Sequence, residues 1–292
     1  SIILMNIKNF KLINEQFGTD EGDKTLRYVY NTIKENLTKN EFLARTEADT
    51  FYLCLKETNQ KIINERLNGI VSFINIFNGD NTDKVFNIVF HKGAYTVTDP
   101  SKKLKIVQGY AKSAFMVAHE QNTEECVFYD ISLTEKMYKE QEIINLFDKS
   151  IKNHDFKVFL QPKVRLEDGS VGGAEALVRW YHPERGIIYP NDFIPIFEKN
   201  GMICKLDEYM FTEVCKILAD WQKKGRKLFP VSVNLSRQHF KTNLDFLDKF
   251  YEIVKEYNIP RNILEFELTE SIFFETSKFK TVKESIQKMH EL

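Results

Sequence analysis

Glu175 lies within a run, VGGAEALVRW (residues 171 to 180), whose other side chains are mostly apolar or absent. Read as a strand, the run puts Gly173, Glu175, Leu177 and Arg179 on one face, because side chains alternate with period two. Ala174, Ala176, Val178 and Trp180 take the other. Two later runs repeat the pattern. In FPVSVNLS (229 to 236), Val231, Val233 and Leu235 alternate with Ser232, Asn234 and Ser236. In ILEFELTES (263 to 271), Phe266 and Leu268 alternate with Glu265, Glu267 and Thr269. Glu175, Asn234 and Glu267 are therefore three oxygen donors carried toward one common face. Gathered carboxylates are costly without compensation, and hard oxygen ligands suit a divalent cation. The pattern points to a metal site.

The elements that must position these residues follow from the spacing. Helical patterns separate the three strands, which is the signature of repeated β–α units with parallel strands. Closed into a barrel, such strands gather polar residues at their C-terminal mouth. The chain of 292 residues has room for about two domains. A formal net charge of −1 gives no global attraction to nucleic acid or to a membrane surface. The apolar stretches are strand-length and broken by charge, so neither a membrane span nor a signal peptide is visible. Cys54, Cys126, Cys204 and Cys215 show no CxxC spacing and read as reduced thiols of a cytoplasmic segment. Membrane anchoring of a parent protein is left to any sequence before Ser1.

The first half reads as an α+β domain. A strand, SIILMNIKNF, opens it, and a helix from Asp20 to Leu37 carries Leu26, Val29, Tyr30 and Ile33 on one stripe. Residues 42 to 56 form a hairpin, and 60 to 77 a helix. VFNIVFHKGAYTV returns as strand, Leu104 to His119 is helical, and residues 126 to 129 make a last strand. NIKNFKLINEQFGTDEGDKTL and ARTEADTF resemble the signature motifs of the GGDEF domain, the diguanylate cyclase family with a nucleotidyl-cyclase-like fold. Against that family, the metal-binding Asp is Asn6, and the signature turn is Glu47, Ala48, Asp49, Thr50 and Phe51, without its glycines. A lysine is replaced by His119, and Thr38 to Glu41 lacks the RxxD inhibitory motif. The departures imply a domain dead as a cyclase. Asn14 and Asp23 match guanine-contacting positions, so the resemblance also implies GTP as a regulatory ligand.

The second half resembles the EAL domain family through LQPKV, EALVRW, HPERGIIYPNDFIPIFEKNGMICKLD, SVNLS and EFELTES, in that order. That resemblance implies a TIM-like (β/α) barrel hydrolysing cyclic di-GMP to pGpG with Mg²⁺ or Mn²⁺. Carried over by position, Glu175, Asn234 and Glu267 correspond to metal ligands, and Glu270 to a loop glutamate that supports the metal site. Gln161 and Arg179 correspond to substrate contacts, the planar fork of Arg179 suiting a phosphate, and Asp207 to the ligand rim. The expected layout is a degenerate GGDEF domain over 1–131, a connecting helix over 132–155 and an EAL domain over 156–292. The barrel reads as truncated after its first half, so catalysis is expected of an intact parent and not of this segment alone. A non-catalytic cyclic di-GMP receptor and a scaffold limited to homodimer contacts are the rival roles, and no nucleic-acid partner is expected.

Overall fold

The structure, a computed structural model, describes residues 1–78, 87–242, 246–260 and 262–268. The chain divides into two compact units, Ser1–Met137 and Tyr138–Leu292.

Among the described residues, the first unit is built on a five-stranded sheet. Its strands are β1 (Ile2–Ile7), β2 (Phe42–Glu47), β3 (Thr50–Cys54), β4 (Phe90–Tyr95) and β5 (Cys126–Phe128), in the order β2-β3-β1-β4-β5. Among the described residues, the helices lying wholly within this unit are α1 (Phe10–Phe17), α2 (Thr19–Glu35), α3 (Gln60–Asn78) and α4 (Leu104–Glu120). The alternation in β1 sends Ile3, Met5 and Ile7 into one core with Leu26, Val29 and Ile33 of α2 and Ile63, Leu67 and Ile70 of α3. Leu4 goes to the opposite face, with Tyr95, Val107 and Ala111 under α4. Gly93 of β4 makes that second contact possible. A Cβ there would lie 2.0 Å from the backbone nitrogen of Phe115 and 2.6 Å from the carbonyl oxygen of Ala111.

The opening strand is shorter than its sequence suggests. Asn9 turns left-handed (φ 56°), and Phe10 begins α1, where Phe10 and Ile13 are buried. The apolar run SIILMNIKNF therefore continues from strand into helix, and one buried i, i+3 pair is too short a stripe to separate the two by eye.

The second unit carries β6 (Phe156–Val164), β7 (Val171–His182), β8 (Gly186–Ile188), β9 (Val231–Leu235) and β10 (Leu264–Leu268). Among the described residues the sheet runs β10-β9-β7-β6, with β8 paired to β7. β7, β9 and β10 are parallel, as the β–α spacing requires, and β6 pairs antiparallel with β7. Helix α5 (Ile131–Lys152) contains the division between the units, α6 (Pro190–Asn200) and α7 (Ile203–Lys223) connect β8 to β9, and α8 (His239–Thr242) and α9 (Phe246–Glu256) connect β9 to β10.

Apolar faces hold this unit together. Trp180 is fully buried among Phe147, Phe156, Phe193 and Phe197, and its indole N–H donates to Ser150 Oγ at 3.0 Å, so no buried polar group is left unpaired there. Ala176, Val231, Val233 and Leu235 pack on Phe211, Val214 and Leu218 of α7. The stretch after Trp180 carries Pro183, Pro190 and Pro195, which would suggest a loop. Instead β7 continues to His182 and turns at Gly186 (φ 72°) into β8, while Pro190 and Pro195 lie inside α6. Proline at a first helical position costs nothing, since its missing N–H has no partner there.

Candidate functional site

The donors of the second unit lie side by side near the C-terminal ends of β9 and β10 and at the middle of β7. In register, Glu175 of β7 lies opposite Ser232 of β9, and Asn234 lies opposite Glu267 of β10. Asn234 Nδ2 donates to Glu175 Oε1 at 2.9 Å. Glu175 and Glu267 are half-buried and Asn234 is exposed, so the group opens to solvent while resting on the buried layer of Val231 and Val233. Gln161 sits opposite Glu175 on β6 and is exposed. Glu270 lies outside the described residues.

Lys163 is the residue that strand alternation by itself does not single out. Its ammonium donates to Glu267 Oε1 and, at 2.7 Å, to Ser232 Oγ. The hydrogen bonds from Lys163 and Ser232 hold the Glu267 carboxyl below the ordinary carboxylate range, against a smaller upward push from burial. A signal for it exists in the chain: Lys163 stands two residues after Gln161, on the same face of the strand.

Arg179 and Asp207 are engaged elsewhere. Arg179 Nη1 donates to the carbonyl of Val178 at 2.8 Å, and its guanidinium lies 5.9 Å from the Phe159 ring centroid. Asp207 is buried on α7. Its Oδ2 accepts the Ser236 backbone N–H at 2.9 Å and lies 3.1 Å from His239 Nε2. Burial alone would lower the His239 pKa, but hydrogen bonds to Asp207 and Cys204 outweigh it and raise the imidazole to about 9. Asp207 thus anchors the segment that leaves β9 two residues beyond Asn234.

In the first unit, Asn6, Thr50 and Glu47 form a row across β1, β3 and β2, with Asn6 Nδ2 donating to Thr50 Oγ1 at 3.1 Å. Ala48, exposed at the tip, adopts φ 28°, a region that favours glycine. Asp49 is half-buried and Phe51 is fully buried in the core. His91 of β4 extends the row opposite Asn6, and its ring lies 5.0 Å from that of His119. Asn14 Oδ1 is buried without a hydrogen-bond donor among the described residues, packed where a Cβ on Gly22 would come within 1.9 Å; Asp23 nearby on α2 is exposed. Glu41, at the last position of the absent RxxD motif, is committed to structure. Arg66 grips it with two nitrogens, at 2.8 and 2.6 Å, and the backbone N–H groups of Thr38 and Lys56 donate to it as well.

No group of three or more His, Cys, Asp or Glu among the described residues could hold a metal ion, so among those residues a cation at β7, β9 and β10 would need the amide oxygen of Asn234. No helix among the described residues is long and apolar enough to cross a membrane.

Residues 144–292 match the family model for the EAL domain, and residues 1–125 match that for the diguanylate cyclase GGDEF domain. The chain is 26% identical over 277 residues to the cyclic di-GMP phosphodiesterase PdeR of Escherichia coli (strain K12), covering 95% of this chain and 41% of that protein. It is 24% identical over 279 residues to the bifunctional diguanylate cyclase/cyclic di-GMP phosphodiesterase MucR of Pseudomonas aeruginosa, covering 93% and 39%. The chain spans about two fifths of the length of these relatives, 41% and 39%. Similar solved structures include the S helix-GGDEF-EAL portion of Vibrio cholerae LapD bound to c-di-GMP. That likeness has 14% identity and a TM-score of 0.46, covering 98% of this chain and 67% of that one.

Proposed function

The chain belongs to the EAL domain family, with a GGDEF domain ahead of it, and on that premise we propose that its second unit hydrolyses cyclic di-GMP to pGpG with the help of Mg²⁺ or Mn²⁺. The observation that carries this reading is the alignment of Glu175, Asn234 and Glu267 across three neighbouring parallel strands, near the C-terminal ends of β9 and β10 and at the middle of β7, with Asn234 bonded to Glu175 at 2.9 Å. The donors are all oxygens, as a hard divalent cation prefers, and the ammonium of Lys163 at Glu267 supports the view that this part of the sheet attracts positive charge. When bound, the metal would supply a Lewis acid and a more acidic water.

The remaining roles fall to the chain itself. Glu175, Asn234 and Glu267 are the residues that would hold the ion. Gln161, which lies opposite Glu175, is the proposed ligand contact. Arg179 can exchange the Val178 carbonyl for a phosphate oxygen, a stronger charge-assisted partner. Glu270 is proposed to support the metal ligands. Asp207 contributes indirectly, by fixing Ser236 and with it the end of β9.

The first unit, on the same reading, is a regulatory or structural partner without cyclase activity. Asn6 lacks the charge of a metal-binding Asp, and Glu47 would repel a triphosphate. GTP is its proposed ligand, on the match of Asn14 and Asp23 to guanine-contacting positions of the GGDEF family.

A second reading, a receptor that binds cyclic di-GMP without cleaving it, is favoured by one observation: Glu267 and Glu175 already have side-chain donors of the protein itself, Lys163 and Asn234. Both readings require cyclic di-GMP to bind. Calorimetric titration of the full-length protein should show saturable binding, weakened at least tenfold by Arg179→Ala. Absence of binding would remove both.

A further inference from the structure

We propose that Lys163 is a tethered competitor for the divalent cation, a positioning residue that holds Glu267 in the metal-free state and must be displaced when the ion binds. The inference rests on the metal reading above and adds a residue and an order of events to it.

Three observations support it. Lys163 points to the same sheet face as Gln161, and its register partner on β7 is Gly173, which offers no side chain to block a path across the sheet. A Cβ at Gly173 would lie 3.0 Å from the Pro230 carbonyl oxygen, so this close approach of backbones keeps the position small. Over this gap the lysine stem crosses β7 and brings the ammonium to Ser232 of β9 and Glu267 of β10. Ser232 is fully buried and also lies 3.5 Å from the Ala174 carbonyl, so it is a fixed point for the ammonium to rest on.

The chemistry then sets a competition. A carboxylate oxygen engaged by an ammonium cannot give the same lone pairs to a metal ion. A divalent ion brings twice the charge and more coordination positions, so it can win, but its apparent affinity is reduced by the cost of breaking the pair. Once released from Glu267, the ammonium retains the Ser232 hydroxyl and has Glu265 on the neighbouring strand position as a further source of negative charge, since Glu265 lies opposite Ser232. Lys163 thereby keeps the two acidic strands β7 and β10 compatible before metal arrives.

The test is Mn²⁺ binding to the full-length protein, followed by the electron paramagnetic resonance signal of the free ion, with no turnover involved. Lys163→Met removes the ammonium and keeps an unbranched apolar stem one atom shorter, and Lys163→Arg keeps the charge. The expected result is Mn²⁺ binding about fivefold tighter in Lys163→Met than in wild type, the scale of a partly exposed ion pair, with Lys163→Arg close to wild type. Equal or weaker binding in Lys163→Met, with wild type binding Mn²⁺, overturns the competitor role while leaving the metal reading intact. If neither wild type nor Lys163→Met binds Mn²⁺, the metal reading falls and the inference falls with it. Should Lys163→Met lose its fold, Lys163→Gln gives the same comparison, and circular dichroism establishes which variant is folded.

Discussion

Asn234 donates its side-chain N–H to Glu175 at 2.9 Å, which joins two neighbouring parallel strands by a contact 59 residues apart in the chain. The bond fixes the side-chain amide so that its oxygen is the atom left for other partners. Asn234→Asp would replace the donated bond by a repulsion between carboxylates. The expected outcome is Mn²⁺ affinity altered by tenfold or more with little change in the unfolding midpoint, because Asn234 is exposed. Paired titration and thermal unfolding of the variant check it.

Glu41 is the anchor of a structural pair in the first unit. Its side chain is 2% exposed, and the Arg66 guanidinium beside it holds its carboxyl well below the usual carboxylate range. A depressed carboxylate stabilises the fold above its ordinary pKa, and that contribution is lost as pH falls below it. Glu41→Gln should cost about 2 kcal/mol at pH 7 and flatten the loss of stability between about pH 5 and pH 2. Denaturant unfolding followed by circular dichroism across that range measures both effects.

His239 provides the opposite sign. Its folded pKa is raised from 6.5 to about 9, so its stabilisation is complete below about 6.5 and disappears as pH rises through about 9. The amplitude is about 3 kcal/mol, on the scale of 1.36 kcal/mol per unit. Asp207→Asn should weaken that dependence, leaving the part due to Cys204, and destabilise the unit near neutral pH. Both tryptophans, Trp180 and Trp221, lie in the second unit, so tryptophan fluorescence reads its unfolding alone.

Gly93→Ala tests the packing of α4 on β4. The added Cβ would meet backbone at 2.0 and 2.4 Å, and backbone does not rotate away as a flexible side chain would. A loss of about 1–3 kcal/mol is expected, read as a lower melting temperature. A neutral outcome would mean that α4 does not sit where Ala111 and Phe115 place it.

Much of this arrangement is legible in the amino-acid sequence. The alternation in residues 171 to 180, 231 to 235 and 264 to 268 defines three strands and their faces, and a period-two pattern needs no tertiary information. It groups Glu175 with Asn234, and the two side chains do meet. The roles of Lys163, Asp207 and Glu41 are not legible, for one physical reason. Each is decided by a partner distant in the chain: Glu267 for Lys163, His239 for Asp207, Arg66 for Glu41. Strand periodicity names the face a residue takes but not which side chain reaches across a glycine to meet it.

Metal-dependent cleavage of cyclic di-GMP at Glu175, Asn234 and Glu267 is the activity proposed for the second unit. The most direct measurement is chromatographic detection of pGpG after incubating the full-length protein with cyclic di-GMP and Mg²⁺ or Mn²⁺, beside the Glu175→Ala variant and a chelator control. The expected result is pGpG from wild type, abolished by chelator and reduced by at least a hundredfold in Glu175→Ala. Saturable binding without pGpG would contradict the claim and make the protein a receptor, and pGpG formed equally well by Glu175→Ala would remove these residues from the chemistry.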